Sequence, residues 1–165
     1  MKLLIVRHAE TNPDGNGFNQ NGGIIGALSE NGKYQAERIA QHLSSYKVSY
    51  IYTSDIVRAV ATSYVISDSM PDVTVMLTKD LRIKDPDESA DRFRQRIASF
   101  LDGLKQKFDK QTIIIVSHSD AIQVLFELLN HKTKTIPGLS SVSEFDIAPN
   151  SDPVSVKIND TGHLV

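Results

Sequence analysis

The sequence contains no cysteine and no tryptophan, and aromatic residues make up only 7% of its 165 residues. Without cysteine the chain has no disulfide, no thiolate metal site and no cysteine nucleophile. No apolar run approaches the roughly 18 residues of a membrane-spanning helix, and the apolar run 3–6 is too short for a signal peptide. We therefore expect a cytoplasmic protein without membrane association.

The chain also has little net charge, with a formal value of −2. It offers no general attraction for nucleic acid, so any anion must be bound by local arginine and histidine side chains. Hydrophobic residues account for 40% and charged residues for 23%, which is typical of a globular protein. At this length, without a linker or an internal repeat, we expect a single domain over residues 1–165.

Strand patterns alternate with helix patterns along the chain. Strands are predicted at 3–6, 51–53, 73–77, 112–116, 143–147 and 154–158, and helices at 30–44, directly after 53, at 89–108 and at 121–129. The apolar runs 3–6 and 112–116 are typical of parallel strands covered on both faces. The order predicts a three-layer α/β/α sandwich with a mainly parallel sheet.

Cap residues predict where two of these helices begin, and apolar spacing predicts the buried face of one of them. Ser29 is the expected N-cap of the first, and Ser54 or Asp55 of the second. The second helix should bury a stripe of four residues, namely Val57, Val60, Ala61 and Tyr64. Residues 11–28, rich in asparagine and glycine, are predicted to form a loop.

Two histidines each follow a predicted strand. Arg7 and His8 come directly after the strand 3–6, and His118 comes after the strand 112–116. Ligands of open parallel sheets bind beyond the carboxyl ends of the strands, so we expect these side chains in one pocket. Arg58, about one turn into the second helix, can reach the same edge.

This set of side chains suits phosphoryl transfer. The planar, permanently charged guanidinium group fits phosphate oxygens. A neutral imidazole can attack phosphorus and form a phosphohistidine, which water later hydrolyses. The same residues are also compatible with polar loop histidines and a surface arginine, so the side chains alone leave the function open.

Five segments spread over nearly the whole chain narrow the choice. They are residues 7–11, 28–36, 53–62, 116–118 and 159–164. They resemble, in order, the Arg-His-x-x-Thr, Leu-Thr-x-x-Gly-x-x-Gln-Ala, Ser-x-x-x-Arg-Ala-x-x-Thr, Ser-His and Asn-x-x-x-His-Leu motifs of the histidine phosphatase superfamily. That family includes phosphoglycerate mutases, fructose bisphosphatases and phosphohistidine phosphatases.

The resemblance implies a phosphoglycerate mutase-like fold and a histidine acid phosphatase-type activity. His8 would form the phosphohistidine intermediate, and Arg7, Arg58 and His118 would hold the phosphoryl group. The implied substrates are phosphomonoesters or phosphohistidine, presented by a phosphorylated small molecule or a phosphoprotein. No cofactor is implied, and the oligomeric state is left open.

The sequence departs from the family pattern at the general acid. Family members commonly carry a glutamate in a Leu-x-Glu sequence after the third strand, and Ile83 stands at that position here. Isoleucine has no proton to donate. The candidates to replace the glutamate are Asp85, Asp87 and Glu88, and we expect Asp85 to act. Glu88 is also a candidate for a carboxylate that stabilises the start of the next helix.

Two further positions bear on the phosphate site. Ser119 stands where the family usually has glycine, and Asp14 stands where it often has asparagine. A carboxylate at Asp14 would repel phosphate, whereas Asn12 and Asn16 can donate hydrogen bonds. The expected substrate-binding residues are Arg7, Arg58, Asn12, His118 and Ser119.

Other functions fit fewer features of the sequence. A mutase needs a lid over its substrate, and the segment between Leu81 and Glu88 is shorter than the insertion that caps the substrate in mutases, which favours hydrolysis. Ile83 at the acid position leaves a noncatalytic phosphate- or phosphoprotein-binding module open. A metal site built from His8, His118 and Asp120 is disfavoured, because the positive charges of Arg7 and Arg58 would repel the cation. The Gly15-Asn16-Gly17 sequence lacks the third glycine of a dinucleotide site.

Overall fold

The computed structural model of the protein describes residues 1–12 and 27–165. Within these ranges six strands form one sheet, and four α-helices cover it. The strands are β1 (Lys2–Arg7), β2 (Val48–Ser54), β3 (Thr74–Thr78), β4 (Thr112–Ser117), β5 (Val142–Asp146) and β6 (Val154–Asp160). The helices are α1 (Glu30–Leu43), α2 (Val57–Ser67), α3 (Ala90–Lys107) and α4 (Ser119–Leu128).

The strand order across the sheet is β3-β2-β4-β1-β5-β6. The first four strands in this order are parallel, whereas β5 and β6 are antiparallel to their neighbours. The predicted, mainly parallel sheet is therefore confirmed. β1 and β4 lie side by side in the centre, and Arg7 pairs with Ser117 at their carboxyl ends. This register places the residues that follow the two strands next to each other.

Successive side chains of the central strands point alternately into two separate hydrophobic cores. Leu3 and Ile5 face α3 and α4, where they pack with residues such as Phe126. Leu4 and Val6 face the other side and pack with α1 and α2. Because β1 is covered on both faces, its apolar run is continuous, as expected for a buried parallel strand. The result is the predicted α/β/α sandwich.

The helix starts agree with the sequence at α1 but not at α2. Ser29 caps α1, and its hydroxyl accepts a hydrogen bond from the amide of Gly32. The predicted cap of α2 is wrong, because Ile56 occupies the N-cap position and makes no side-chain cap bond. The hydroxyl of Ser54 instead accepts from the amide of Ile56, outside the helix.

The buried face of α2 also differs from the prediction. Val60 and Ala61 are buried as expected, but Val57 and Tyr64 are only partly buried. The helix additionally buries Ile66 and three small or polar side chains, namely Ala59, Thr62 and Ser63. Apolar spacing missed this face because Thr62 and Ser63 satisfy their own hydroxyls with hydrogen bonds to helix carbonyls four residues back.

Candidate active site

His8 and His118 lie side by side at the carboxyl ends of β1 and β4. The amide of His8 donates to the carbonyl of Ser117, continuing the strand ladder at 3.0 Å. The two imidazole ring centroids are 5.2 Å apart, with an interplanar angle of 56°. His8 is 7% exposed and His118 is 1% exposed. The structure thus brings together two histidines that are 110 positions apart in the sequence.

The contacts of His8 fix which ring nitrogen carries its proton. Arg58 donates from Nε to His8 Nε2 at 3.2 Å, so Nε2 must present its lone pair. The proton then resides on Nδ1, which donates to the carbonyl of Ala9 at 2.9 Å. Burial, together with the charges of Arg58 and Arg7 and against the raising effect of the bond to Ala9, lowers the pKa of His8 to about 4. His8 is therefore neutral at pH 7, with Nε2 unprotonated.

His118 is held by Ser54, one of the two residues predicted to cap α2. Ser54, the last residue of β2, places its hydroxyl 2.9 Å from His118 Nε2. Nδ1 of His118 is buried and has no hydrogen-bond partner among residues 1–12 and 27–165. Burial, followed by the charges of His8 and of both arginines, lowers the pKa of His118 to about 2. A buried polar atom of this kind is a position where a bound ligand can supply the missing partner.

Arg7 and Arg58 provide the positive charge beside the histidines. Arg7 donates from Nη1 to the carbonyl of Pro137 at 2.6 Å, while its buried Nε lacks a partner in the described part of the chain. Burial lowers the pKa of both guanidinium groups, and the charge of Arg58 further lowers that of Arg7. Asp120, in the first turn of α4, opposes this effect on both. The two partly desolvated cations attract an anion.

The loop that carries His8 is anchored to α1. The amide of Glu10 donates to Gln35 Oε1, and the Glu10 carboxylate accepts from the side chains of Ser29 and Asn31. Gly32 packs so closely that an added Cβ would lie 1.9 Å from the carbonyl oxygen of Glu10. These contacts explain the serine, glycine and glutamine of the second motif, because they hold the backbone after His8 in place.

The α2 segment supports the same loop from the opposite side. Thr62 Oγ1 accepts from the amide of Ala9 at 3.0 Å and donates to the carbonyl of Arg58 at 2.8 Å. The Thr62 hydroxyl therefore links the backbone of Ala9, next to His8, to the backbone of Arg58. The guanidinium group of Arg58 in turn contacts His8. The threonine of the third motif has a structural role.

The C-terminal motif braces the loop that contacts Arg7. His163 Nε2 lies 3.0 Å from the carbonyl of Ser140, and Asn159 Oδ1 accepts from the amide of Gly138. The amide of Arg7 in turn donates a hydrogen bond to the carbonyl of Ser141. The motif therefore acts through residues 137–141, which contact the strand end that carries Arg7.

The acidic candidates lie in a neighbouring segment. Asp85, Asp87 and Glu88 line a cavity with Ile83 at its wall, and the histidines are not among the residues that line it. Glu88 forms an ion pair with Arg96 at 2.7 Å, which fits the alternative of a structural carboxylate at the start of α3. Asp85 Oδ1 accepts from the amide of Asp87. The contacts assign no proton donor.

The remaining predicted substrate-binding residues flank the histidines in sequence. Ser119 is the first residue of α4 and directly follows His118. Asn12 donates from its side chain to the carbonyl of Leu28 at 3.1 Å. Asp14 and Asn16 lie outside the described residues.

Two properties of the described chain bear on other kinds of site. Residues 1–12 and 27–165 contain no group of three or more histidine, cysteine, aspartate or glutamate side chains arranged to hold a metal ion. In the same ranges, no helix has the length and apolar character needed to cross a membrane.

Known proteins share this chain's sequence and fold. A model of the histidine phosphatase superfamily (branch 1) matches residues 3–82 and 78–161. Phosphoglycerate mutase-like protein 4 of Arabidopsis thaliana is 24% identical over 201 residues, which cover 99% of this chain and 86% of that protein. Phosphoserine phosphatase 1 of Hydrogenobacter thermophilus is 26% identical over 160 residues, covering 76% and 74%.

The fold agrees with the sequence comparisons. Phosphoglycerate mutase from Bacillus anthracis superposes with a TM-score of 0.80 at 18% identity, covering 99% of this chain and 95% of that one. The match to the family model extends over nearly all of the sequence and includes both histidine motifs. The chain therefore belongs to the histidine phosphatase superfamily.

Proposed function

We propose that the protein is a phosphatase that hydrolyses phosphomonoesters through a phosphohistidine on His8. The observation that carries this proposal is the hydrogen bond that Arg58 Nε donates to His8 Nε2, which leaves the imidazole proton on Nδ1 beside the carbonyl of Ala9. Burial lowers the pKa of His8 to about 4, so Nε2 has a nucleophilic lone pair at neutral pH. In this proposal the protein acts in the cytoplasm, and residues 1–165 form one catalytic domain.

In the first step, His8 Nε2 attacks phosphorus and forms a P–N bond while the P–O bond to the leaving group breaks. The electron pair of that bond goes to the leaving oxygen, which takes up a proton. Arg7 Nε and His118 Nδ1, both buried and without partners among the described residues, are the proposed donors to the peripheral oxygens. In the second step, water attacks phosphorus and gives a proton to the group that protonated the leaving oxygen. The P–N bond breaks, its electron pair returns to His8 Nε2, and inorganic phosphate is released.

Ser54 sets the proton of His118 in this proposal. When the Ser54 hydroxyl donates to His118 Nε2, the single proton of the neutral imidazole resides on Nδ1. Nδ1 is then a donor for a phosphoryl oxygen. A bound dianion also favours the protonated imidazole, so substrate binding raises the pKa of His118 from its depressed value.

We propose Asp85 as the proton donor to the leaving oxygen. Asp85 lines the cavity next to Ile83, which stands where the family commonly has its acid. Substrates with good leaving groups need this proton least, so the enzyme should favour aryl esters and phosphohistidine over alkyl esters. Two features support a phosphatase rather than a mutase. They are the short segment between Leu81 and Glu88 and the similarity to phosphoserine phosphatase 1. The proposed substrate is a phosphorylated small molecule.

Rapid-quench labelling with a radioactive aryl phosphate tests the covalent step. The wild-type protein should acquire an acid-labile, alkali-stable label that maps to His8, and His8→Ala should lose both the label and turnover. His131→Gln, a matched histidine substitution away from the site, should keep both. An active His8→Ala protein contradicts the covalent mechanism. No turnover of any ester or of phosphohistidine by wild type supports a phosphate-binding module instead.

A further inference from the structure

Ser140 has a backbone conformation that serine rarely adopts. Four non-glycine residues in the ranges 1–12 and 27–165 have a positive φ, and three of them are asparagines, a residue type that tolerates the left-handed region. Ser140 is the fourth, with a φ of 59°, and it is fully buried. Such strain persists only where the surrounding structure imposes it, and it is concentrated at functional sites.

The backbone of Ser140 is fixed from two sides. Ser140 is the third residue of a turn that is closed by a hydrogen bond from the amide of Ser141 to the carbonyl of Gly138 at 3.1 Å. The amide of Ser140 donates to the carbonyl of His8 at 3.4 Å, and its carbonyl lies 3.0 Å from His163 Nε2. A positive φ at the third position of a turn is usually supplied by glycine. The turn thus ties the backbone of His8 to the C-terminal segment.

The hydroxyl of Ser140 is bonded to the loop after His8 through α1. It donates to Gln35 Oε1 at 3.1 Å, and the same oxygen accepts from the amide of Glu10 at 3.0 Å. One side-chain oxygen therefore joins the turn to the loop two residues beyond His8. Glycine would suit the φ of position 140 better than serine does, but glycine has no hydroxyl to make this bond.

The same turn holds Arg7. The carbonyl of Pro137, directly before the turn, accepts from Arg7 Nη1 at 2.6 Å. The carbonyl of Ser141, at the end of the turn, accepts from the amide of Arg7 at 3.2 Å. Arg7 is thereby held at both its side chain and its backbone. A shift of the turn would therefore move the guanidinium group of Arg7 and the backbone of His8 together.

We infer that Ser140 is a positioning residue, which uses its left-handed backbone and its hydroxyl to hold Arg7 and the loop after His8 in the geometry that phosphoryl transfer needs. This inference rests on the proposed phosphatase function. Ser140 touches no reacting atom in this role, because it acts through the hydrogen bonds of its turn. Ser140→Gly should lower activity without lowering stability, because relief of the backbone strain offsets loss of the hydroxyl bond.

Ser140→Gly is the first test of the inference. Quenched labelling of His8 with the radioactive aryl phosphate should be slower than in wild type by at least about fivefold, because small displacements of catalytic groups are costly. The label should still map to His8, and vanadate should bind more weakly. Urea denaturation should give a free energy of unfolding no lower than that of wild type. A smaller loss of rate overturns the inference, as does a loss that disappears after correction for the unfolded fraction.

Asn150→Gly is the matched control. Asn150 has a similar left-handed φ of 60°, but it is exposed in the connection between β5 and β6. That connection begins next to Asp146, which pairs with Lys2 at the opposite end of β1 from Arg7. The control should leave the labelling rate and the affinity for vanadate unchanged. Equal losses in Asn150→Gly and Ser140→Gly overturn the inference.

A second substitution tests the route of the effect. Gln35→Leu removes the acceptor of the Ser140 hydroxyl, so Ser140→Gly should lower the labelling rate less in this background than in wild type. Equal losses of rate in the two backgrounds overturn the role of the hydroxyl.

Vanadate binding separates this inference from the phosphatase proposal. A wild-type protein that acquires no label on His8 contradicts the phosphatase proposal, yet its affinity for vanadate can still be compared with that of Ser140→Gly. Weaker binding by Ser140→Gly supports the positioning role in that case as well. Equal binding by the two proteins overturns it.

Discussion

Burial and two guanidinium groups set the protonation of His8, and this residue-scale property gives a testable pH dependence. In the proposed mechanism the free protein needs neutral His8 for attack, and burial lowers the pKa of His8 to about 4 from the ordinary 6.5. The rate of His8 labelling should therefore fall only as the pH drops through about 4, after correction for ionisation of the substrate. Quenched labelling reactions between pH 3.5 and 8 measure this fall in the labelling rate. A limb centred near 6.5 would contradict the proposed state of His8.

We expect Arg58 to contribute to phosphate binding without supporting the fold. Arg58→Ala removes a partly buried cation that donates to His8 Nε2, and loss of a charge-assisted bond to the phosphoryl group costs about 1.5–3 kcal/mol. Vanadate inhibition should weaken accordingly, with circular dichroism unchanged. Arg94→Ala, on the outer surface of α3, is the control. Vanadate inhibition that is the same in wild type and Arg58→Ala would place Arg58 outside the site.

The role of Asp85 is best tested with leaving groups of different quality. General-acid assistance is worth about 10²–10⁴-fold and matters most for poor leaving groups. Asp85→Asn should therefore slow alkyl phosphates more than aryl phosphates. Asp87→Asn is a neighbouring control, whereas Glu88→Gln breaks the ion pair with Arg96 and tests stability instead. Equal slowing of both ester classes by Asp85→Asn would reject its role as an acid.

At the scale of elements, the position of α1 depends on its close approach to the loop after His8. Gly32 and Ser29 in the first turn contact Glu10, two residues beyond His8. The helix therefore does more than bury an apolar stripe, because its N-terminus fixes the backbone that carries the histidine. A side chain at position 32 would force these two segments apart.

Substitution of two helical glycines tests this packing. Gly32→Ala places a Cβ 1.9 Å from the carbonyl oxygen of Glu10, so we expect a loss of about 1–3 kcal/mol in the free energy of unfolding. Gly103→Ala in α3 meets no atom within 4 Å and should instead gain about 0.5–1 kcal/mol. Urea denaturation compares the two. A Gly32→Ala protein as stable as wild type would contradict the close approach.

At the scale of the whole molecule, burial lowers the pKa values of three histidines, His8, His118 and His163, and makes stability depend on pH. The unfolded chain protonates His8 near pH 6.5, whereas the folded protein resists protonation until about pH 4. This contribution to the free energy of unfolding is complete above pH 6.5 and is lost as the pH falls toward 4. His118, with its lower pKa, acts in the same direction.

Unfolding by urea between pH 7 and pH 5 measures this effect. The lowered pKa values of the paired carboxylates Asp55 and Glu88 produce their own loss of stability at lower pH, so this window isolates the histidines. The wild-type free energy of unfolding should fall by about 1.5–2 kcal/mol per site between pH 7 and 5. His8→Asn should show a smaller decrease, and His131→Gln should follow wild type. Identical pH slopes in wild type and His8→Asn would contradict the buried neutral state.

Much of the architecture could be predicted from sequence because its signals are local. The apolar runs indicated β1 and β4, and the serine before the first helical stripe indicated the start of α1. Alternation of strands and helices predicted a mainly parallel sheet, and the carboxyl-end rule placed His8 near His118. The motif resemblance correctly identified the superfamily.

Periodicity, caps and motif spacing are properties of neighbouring residues, so they were enough to predict the elements, the family and the candidate side chains. The bonds that these side chains make depend instead on how the chain folds. Ser54 resembled a helix cap, yet the neighbouring strands β2 and β4 place its hydroxyl against His118. The proton position on His8 and the bond between Lys84 and Asp120 likewise depend on segments far apart in sequence. Such contacts form only when the sheet brings the strand ends together.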